Sequence, residues 1–149
     1  MNRWAVALLS LLSHQAYAAG PLATSPIEQD LSTERYANDL VGSDVSDRLY
    51  AARVLRRRVR TAWRIAGRNG NGFSTIEARQ TLAEFDVIVA PRCIRQLELN
   101  DVRIPCTHIL GMLETVDALP ALTTAAQTTV NGREKRIIAL AIHRIEGSK

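Results

Sequence analysis

This sequence has few aromatic residues, 3 histidines and 2 cysteines, and its cations are almost all arginine because lysine occurs only at positions 135 and 149. Aromatic residues make up 5% of the 149 residues, whereas 46% are hydrophobic and 23% are charged. The apolar content and the lack of any repeat bias exclude a disordered tail, a collagen and a low-complexity fibre. The length fits a single domain.

The chain also lacks the short motifs of common enzymes. It contains no G-x-S-x-G elbow, no phosphate-cradling glycine loop and no H-E-x-x-H pair. The glycine-containing segment 69–72 follows a predicted helix, not a strand, so we interpret it as a linker. Cys106 and His108 are two residues apart and would point to different sides of a helix. We therefore predict no catalytic residues and no cofactor.

Residues 1–18 have the pattern of a secretory signal peptide. A positive charge precedes a short apolar segment, and Ala16 and Ala18 form the small-x-small pattern of a cleavage site. The alternatives are an N-terminal helix of the mature fold and a membrane anchor. An anchor needs about 20 apolar residues, and this run is interrupted by polar residues from Ser10 onward. The sequence favours cleavage after Ala18.

The domain organisation follows from that cleavage site. Residues 19–29 contain glycine, serine and two prolines, which predicts a flexible mature N-terminus. Residues 30–147 are expected to form one all-α domain. The longest later apolar run, residues 137–142, is far too short to cross a membrane. We expect a periplasmic or secreted protein without a membrane span.

The two cysteines, Cys93 and Cys106, both lie in the mature part of the chain. In an oxidising compartment they could form one intramolecular disulfide, which would close a short loop and stabilise the fold by roughly 3 kcal/mol. Metal binding with His108 and His143 is an alternative, although the spacing matches no compact zinc pattern. Free buried thiols are the third possibility.

Hydrophobic periodicity predicts helices and no sheet. Apolar residues recur at three- and four-residue steps. Asp44 or Ser43 is expected to cap one helix and Asn131 another. Ser74 and Glu77 can form a capping box for a helix that buries Ile76. Only residues 87–89 have the composition of a strand, and that segment is short and isolated. Helices joined by short turns pack as antiparallel hairpins, so the predicted fold is all-α. The main predicted helices span residues 27–41, 45–66, 91–99, 105–113 and 134–146. Trp63 is expected on the apolar side of the second, and the last is apolar almost all round, which is typical of a helix buried between neighbours.

Three short segments lie in the last third of the chain: the pair Leu110 and Gly111, the sequence Ala-Leu-Pro-Ala-Leu at residues 118–122 and the sequence Arg-Ile-Ile-Ala at residues 136–139. Together they resemble the bacterial HEAT-type helical repeats, in which the Leu-Gly pair closes a helix. Residues 48–52 contain a weaker echo of this pattern. The resemblance implies a short solenoid of stacked hairpins that binds a protein along its ridge. A compact helical bundle is the alternative.

The segment 53–68 contains seven arginines and no acidic residue. At about 100° per residue, five of them fall within roughly 80° on one side of the predicted helix. They are Arg53, Arg57, Arg60, Arg64 and Arg68. We call their common surface the Arg face. Carboxylates of neighbouring helices could pair with it, or it could bind an external anion, because guanidinium groups match phosphate and carboxylate oxygens.

The sequence therefore predicts an exported, non-catalytic interaction module with an unknown protein partner. The alternative is a protein that binds an anionic surface, such as lipid, glycan or phosphate, through the Arg face. Nucleic acid is not expected, because that compartment holds little of it and aromatic residues for base stacking are nearly absent beside the arginines. If the Arg face binds anions, Arg57, Arg60 and Arg64 should be exposed and without acidic partners.

Overall fold

The computed structural model describes residues 26–67 and 72–148, with side chains from residue 33 onward. All regular structure in this part of the chain is helical, which confirms the predicted all-α class. The helices are α1 (Pro26–Leu40), α2 (Val45–Ala66), α3 (Phe73–Ile88), α4 (Ala90–Gln96), α5 (Arg103–Leu113), α6 (Leu119–Thr128) and α7 (Gly132–Gly147), with one 3-10 turn at Val116–Ala118. The predicted signal peptide and Arg68 lie outside the described residues.

Local capping residues explain several helix boundaries. The side chain of Asp44 accepts a hydrogen bond from the backbone N–H of Asp47 at 2.9 Å, as a predicted cap of α2 should. Asn131 caps α7 in the same way, accepting from the N–H groups of the first turn. Helix α5 ends at Glu114, whose left-handed backbone conformation (φ 56°) stops the helix.

The prediction of a capping box at the start of α3 was wrong. A helix capped by Ser74 would begin at Thr75, but α3 begins two residues earlier, at Phe73, and has no side-chain cap. Residues 87–89, which have the composition of a strand, complete α3 and lead directly into α4. Helix α1 begins at Pro26, inside the segment 19–29 predicted to be flexible; proline suits the first helical turn because its missing N–H is not needed there.

Helices α2 and α5 form the centre of a compact bundle. Helix α2 packs against α1, α3 and α5, while α5 also packs against α4 and α7, and α6 packs against α7. Their buried side chains form one continuous apolar core. Its largest fully buried members include Leu40, Leu55, Val59, Leu97, Ile109, Leu110, Leu122, Ile138 and Ile145. Each such side chain contributes about 1.5–3 kcal/mol by leaving water.

The close contact between α5 and α7 depends on Gly111. A methyl group at this position would lie 3.0 Å from the Cβ atom of Ala141 and 3.1 Å from its Cα atom. The pair Leu110 and Gly111, which carries the resemblance to HEAT-type repeats, therefore lies inside α5 and does not close it. Glycine there allows the backbones of the two helices to approach each other.

Two apolar side chains that the sequence pattern predicts to be buried are exposed. Helix α7 is apolar almost all round, yet it buries one face through Ile138, Ala141 and Ile145, and Leu140 is 69% exposed. Helix α2 buries small and branched residues, including Leu55. Trp63, expected on its apolar side, is 38% exposed. No helix within the described residues has the length and apolar character needed to cross a membrane.

Candidate anion-binding site

The Arg face lies on the outer side of α2. The helix buries Ala51, Ala52, Leu55, Val59 and Ala62, which lie roughly opposite the arginines at about 100° per residue. Four arginines of the Arg face are exposed, namely Arg53, Arg57, Arg60 and Arg64. The packing of α2 against three other helices thus holds a row of four guanidinium groups toward solvent.

These four arginines have no carboxylate partners among the described residues. The ion pairs of this part of the chain join Arg48 to Asp101 at 2.8 Å and Arg103 to Glu134 at 3.4 Å, both away from the Arg face. Asp86, one of the acids close in sequence, accepts a hydrogen bond from the hydroxyl of Thr115. The repulsion within the row is therefore not offset by pairing with the described part of the fold.

Arg58 points away from the Arg face, as its position in the helical repeat predicts. Its guanidinium group lies over the ring of Tyr36, 5.2 Å from the centroid, and donates a hydrogen bond to the hydroxyl of Thr33 at 3.3 Å. Arg58 therefore joins α2 to α1, and its charge stabilises the contact between these two helices.

A cleft opens beside the Arg face, where α2, α5 and α7 meet. It is lined by Arg56, Arg60, Trp63 and Arg64 of α2, by His108 and Met112 of α5, and by Arg144 of α7. We call it the basic cleft. Its volume is about 310 Å³, and none of its lining residues is acidic. Arg60 and Arg64 belong to both the Arg face and the basic cleft, so the two surfaces are continuous.

Trp63 and Arg144 bring α2 and α7 together at this cleft. The Arg144 guanidinium lies 5.1 Å from the centre of the Trp63 ring, a distance at which the ring face attracts a cation. This contact holds a cation of α7 beside the arginines of α2. Trp63 and Met112 add apolar surface to a wall that is otherwise positively charged.

His108 is the titratable group of the basic cleft. Burial lowers the pKa of His108 below its usual value, and the charges of Arg56, Arg144 and Arg60 lower it further. The imidazole is therefore neutral at neutral pH, since its pKa lies below the ordinary value of about 6.5. Arginines of two helices, α2 and α7, thus line the same cleft as His108.

The two cysteines lie at the contact of α4 and α5, and both are free thiols buried in the core. Burial raises the pKa of the Cys93 thiol, and a hydrogen bond with Cys106 and the charge of Cys106 raise it further. The thiols therefore face each other. Among the described residues, no three histidine, cysteine, aspartate or glutamate side chains come together as metal ligands. His143 is an exposed residue of α7.

A second exposed surface lies on α3. Phe73 and Val87 are 77% and 76% exposed, and Ile76 is also exposed. At about 100° per residue these three side chains lie on one side of the helix. We call this surface the apolar face of α3. The sequence pattern did not predict this surface, because it placed Ile76 on the buried side of α3.

Comparison of the chain with protein-family models, with curated proteins and with solved structures gives no match in any of the three.

Sequence reasoning identified the Arg face but not the basic cleft. The row on α2 follows from spacing within one helix, whereas Arg144 lies 80 residues after Arg64 and His108 lies on a third helix. Only the packing of α2, α5 and α7 brings these side chains together. The one local signal was Trp63, an aromatic residue among arginines.

Proposed function

We propose that this protein is a non-catalytic helical module that binds an anionic surface through the Arg face. The observation that supports this function is the exposure of Arg53, Arg57, Arg60 and Arg64 without carboxylate partners in the described part of the fold. Arginine suits the task because its planar guanidinium forms two parallel hydrogen bonds to phosphate or carboxylate oxygens.

The anionic surface that we propose is a lipid headgroup layer. The signal-peptide pattern of residues 1–18 favours export, and an exported protein encounters lipid phosphates at the outside of a membrane. Near an anionic bilayer each arginine contributes about 1 kcal/mol. Four arginines acting together would contribute about 4 kcal/mol, which corresponds to roughly a thousandfold in partitioning.

Vesicle sedimentation tests this function. The wild-type protein should bind vesicles that contain phosphatidylglycerol and not vesicles of phosphatidylcholine alone. Binding should weaken steeply with salt, because exposed charges are screened over about 8–10 Å at physiological ionic strength. The variant carries glutamine in place of the four exposed arginines, Arg53, Arg57, Arg60 and Arg64, and should lose nearly all binding.

The matched control removes four other exposed arginines, Arg79, Arg95, Arg133 and Arg136, which lie on α3, α4 and α7. Both variants lose the same net charge, so a specific role of the Arg face predicts that only the first loses binding. Equal losses in the two variants would show that total charge is responsible and would contradict the proposal.

The apolar face of α3 supports a second candidate function, the binding of a protein partner. This is the activity that the resemblance to HEAT-type repeats implies for a stack of hairpins. Phe73 and Val87 expose large apolar side chains on one side of α3. A partner captured from the periplasmic fraction by the wild-type chain should be lost after Phe73→Asp and Val87→Asp, and its capture should hardly respond to salt. Capture that survives both substitutions would exclude this surface.

A further inference from the structure

We infer that the basic cleft is a binding site for one tetrahedral dianion, a phosphate monoester group, and that its binding is coupled to protonation of His108. This inference deepens the proposed function and rests on it, because Arg60 and Arg64 serve both surfaces. It adds a ligand class and a dependence on pH, which the Arg face alone would not give.

The geometry of the cleft suits a single multivalent anion. Cations reach it from two helices, with Arg56, Arg60 and Arg64 on α2 and Arg144 on α7. A flat array along one helix would contact successive charges of a surface, whereas cations on two sides of a cleft converge on one group. The volume of about 310 Å³ equals the space of roughly ten water molecules, so it accommodates a phosphate and part of the molecule that carries it.

The wall of the cleft favours a phosphate attached to a less polar group. Trp63 and Met112 present apolar surface beside the arginines, and Trp63 also holds the guanidinium of Arg144. The charged end of a ligand would contact the arginines while its carbon-bearing part contacts these two side chains. A monoester satisfies the site better than a diester, because its phosphate carries up to two negative charges.

His108 provides the coupling to pH. Its neighbours in the cleft are Arg56, Arg60 and Arg64 from α2 and Arg144 from α7, and α3 and α4 contribute no lining residue. Burial, together with the charges of Arg56, Arg144 and Arg60, holds the pKa of His108 below its usual value. A bound dianion opposes the cations and favours the imidazolium, so the pKa of His108 rises on binding. By linkage, lowering the pH strengthens the binding of the anion.

Sulfate is the probe because it stays a dianion from about pH 5 to 8, where histidine titrates. Any pH dependence of its binding in this range therefore comes from the protein and not from the ligand. The pKa of His108 is measured by NMR in the full chain, in sulfate and in sodium chloride of equal ionic strength. The His108→Gln variant assigns the resonance.

The inference predicts that sulfate raises the pKa of His108 by about one unit above its value in sodium chloride. One pKa unit means that sulfate binds about tenfold more tightly when His108 is protonated than when it is neutral. Calorimetry in two buffers of different ionisation enthalpy should show proton uptake on binding, and this uptake should be lost in His108→Gln. Equal titration of His108 in sulfate and in chloride would overturn the inference.

Arg144 tests the cleft separately from the Arg face, because Arg144 lines the cleft and is not one of the arginines of the Arg face. Arg144→Gln should lower the affinity for sulfate and inorganic phosphate at least about tenfold. The control Arg136→Gln removes an exposed cation from the same helix and should leave both affinities unchanged. Equal affinities in the two variants would count against the site.

A vesicle experiment distinguishes this inference from the proposed function. Vesicles of equal surface charge carry either phosphatidic acid, a phosphate monoester, or phosphatidylglycerol, a diester. The wild-type chain should prefer phosphatidic acid, and Arg144→Gln should remove that preference while binding to phosphatidylglycerol persists. Binding without preference, together with no response of His108 to sulfate, overturns the cleft but leaves the Arg face. A response to sulfate without any vesicle binding overturns the lipid function and leaves a site for a soluble phosphate monoester.

Discussion

Arg103 at the start of α5 is a charged side chain that the fold buries, and its replacement by methionine tests how α4, α5 and α7 are held together. Arg103 is 7% exposed. Its Nε atom donates to the carbonyl of Leu97 at 2.6 Å, and a terminal nitrogen donates to the carbonyl of Glu98 at 2.9 Å. The other terminal nitrogen lies 3.4 Å from a carboxylate oxygen of Glu134, and the second oxygen of that carboxylate accepts from Thr129 at 2.6 Å.

The expected loss in free energy of unfolding depends on the polar groups that Arg103→Met leaves without a partner. Methionine keeps most of the length and apolar volume of arginine, so the loss comes from unpaired polar groups and not from a cavity. Removing one partner of a buried ion pair costs about 3–5 kcal/mol, because the other charge stays buried without compensation. Domains of this kind are stable by only about 5–15 kcal/mol, so this single change should remove a large fraction of the free energy of unfolding.

Urea denaturation followed by circular dichroism at 222 nm measures this loss. The midpoint should fall while the slope stays constant, since the surface exposed on unfolding hardly changes. Arg95→Met, an exposed arginine of α4, is the control and should change the free energy of unfolding by less than about 0.5 kcal/mol. Adding Glu134→Gln to Arg103→Met should restore part of the stability, because it removes the unpaired charge. A loss below about 1 kcal/mol for Arg103→Met would refute the reasoning.

Three further predictions concern the core and the cleft. Gly111→Ala places a methyl group 3.0 Å from a side-chain carbon of α7. It should lower the free energy of unfolding by about 1–2 kcal/mol in thermal denaturation, net of the better helix propensity of alanine. The control Gly132→Ala meets nothing within 4 Å and should cost nothing. Oxidised glutathione should join Cys93 to Cys106 with the loss of two hydrogens and the release of reduced glutathione; mass spectrometry that finds only mixed disulfides or dimers would exclude the bridge. The folded state binds fewer protons at His108 than the unfolded chain below about pH 6.5, so the free energy of unfolding should fall as pH drops through that range, and His108→Gln should remove this part of the pH dependence.

The helical class was predictable because its determinants are local. A repeat of apolar residues near 3.6 and a side-chain cap each act within one turn, which is why Asp44 and Asn131 were predicted as caps and confirmed. The capping box at Ser74 does not form, because backbone hydrogen bonds start the helix before it. The backbone carbonyl of Gly72 already accepts from the N–H of Thr75 at 2.9 Å, so α3 starts before the box.

Burial was harder to predict because it depends on the number of neighbours that a helix has. The apolar residues of α7 predicted a helix enclosed on all sides, yet α7 packs mainly on α5 and α6 and leaves Leu140 exposed. The same limit applies to Trp63. Its position on α2 is close to the apolar side, but the space beside it is filled by Arg144 of α7 and not by the core.

The arginines of the Arg face differ from two arginines that stabilise the fold. Arg48 and Arg103 each have a carboxylate partner and join distant segments of the fold. The exposed arginines of α2 have none in the described part of the chain. Their mutual repulsion is only about 0.2–0.5 kcal/mol per adjacent pair, so a stable fold tolerates the row without any ligand. The basic cleft adds to the argument from the row, because Arg144 of α7 lies at the cleft that α2 also lines with three arginines. An unliganded protein would gain stability from a carboxylate at that place.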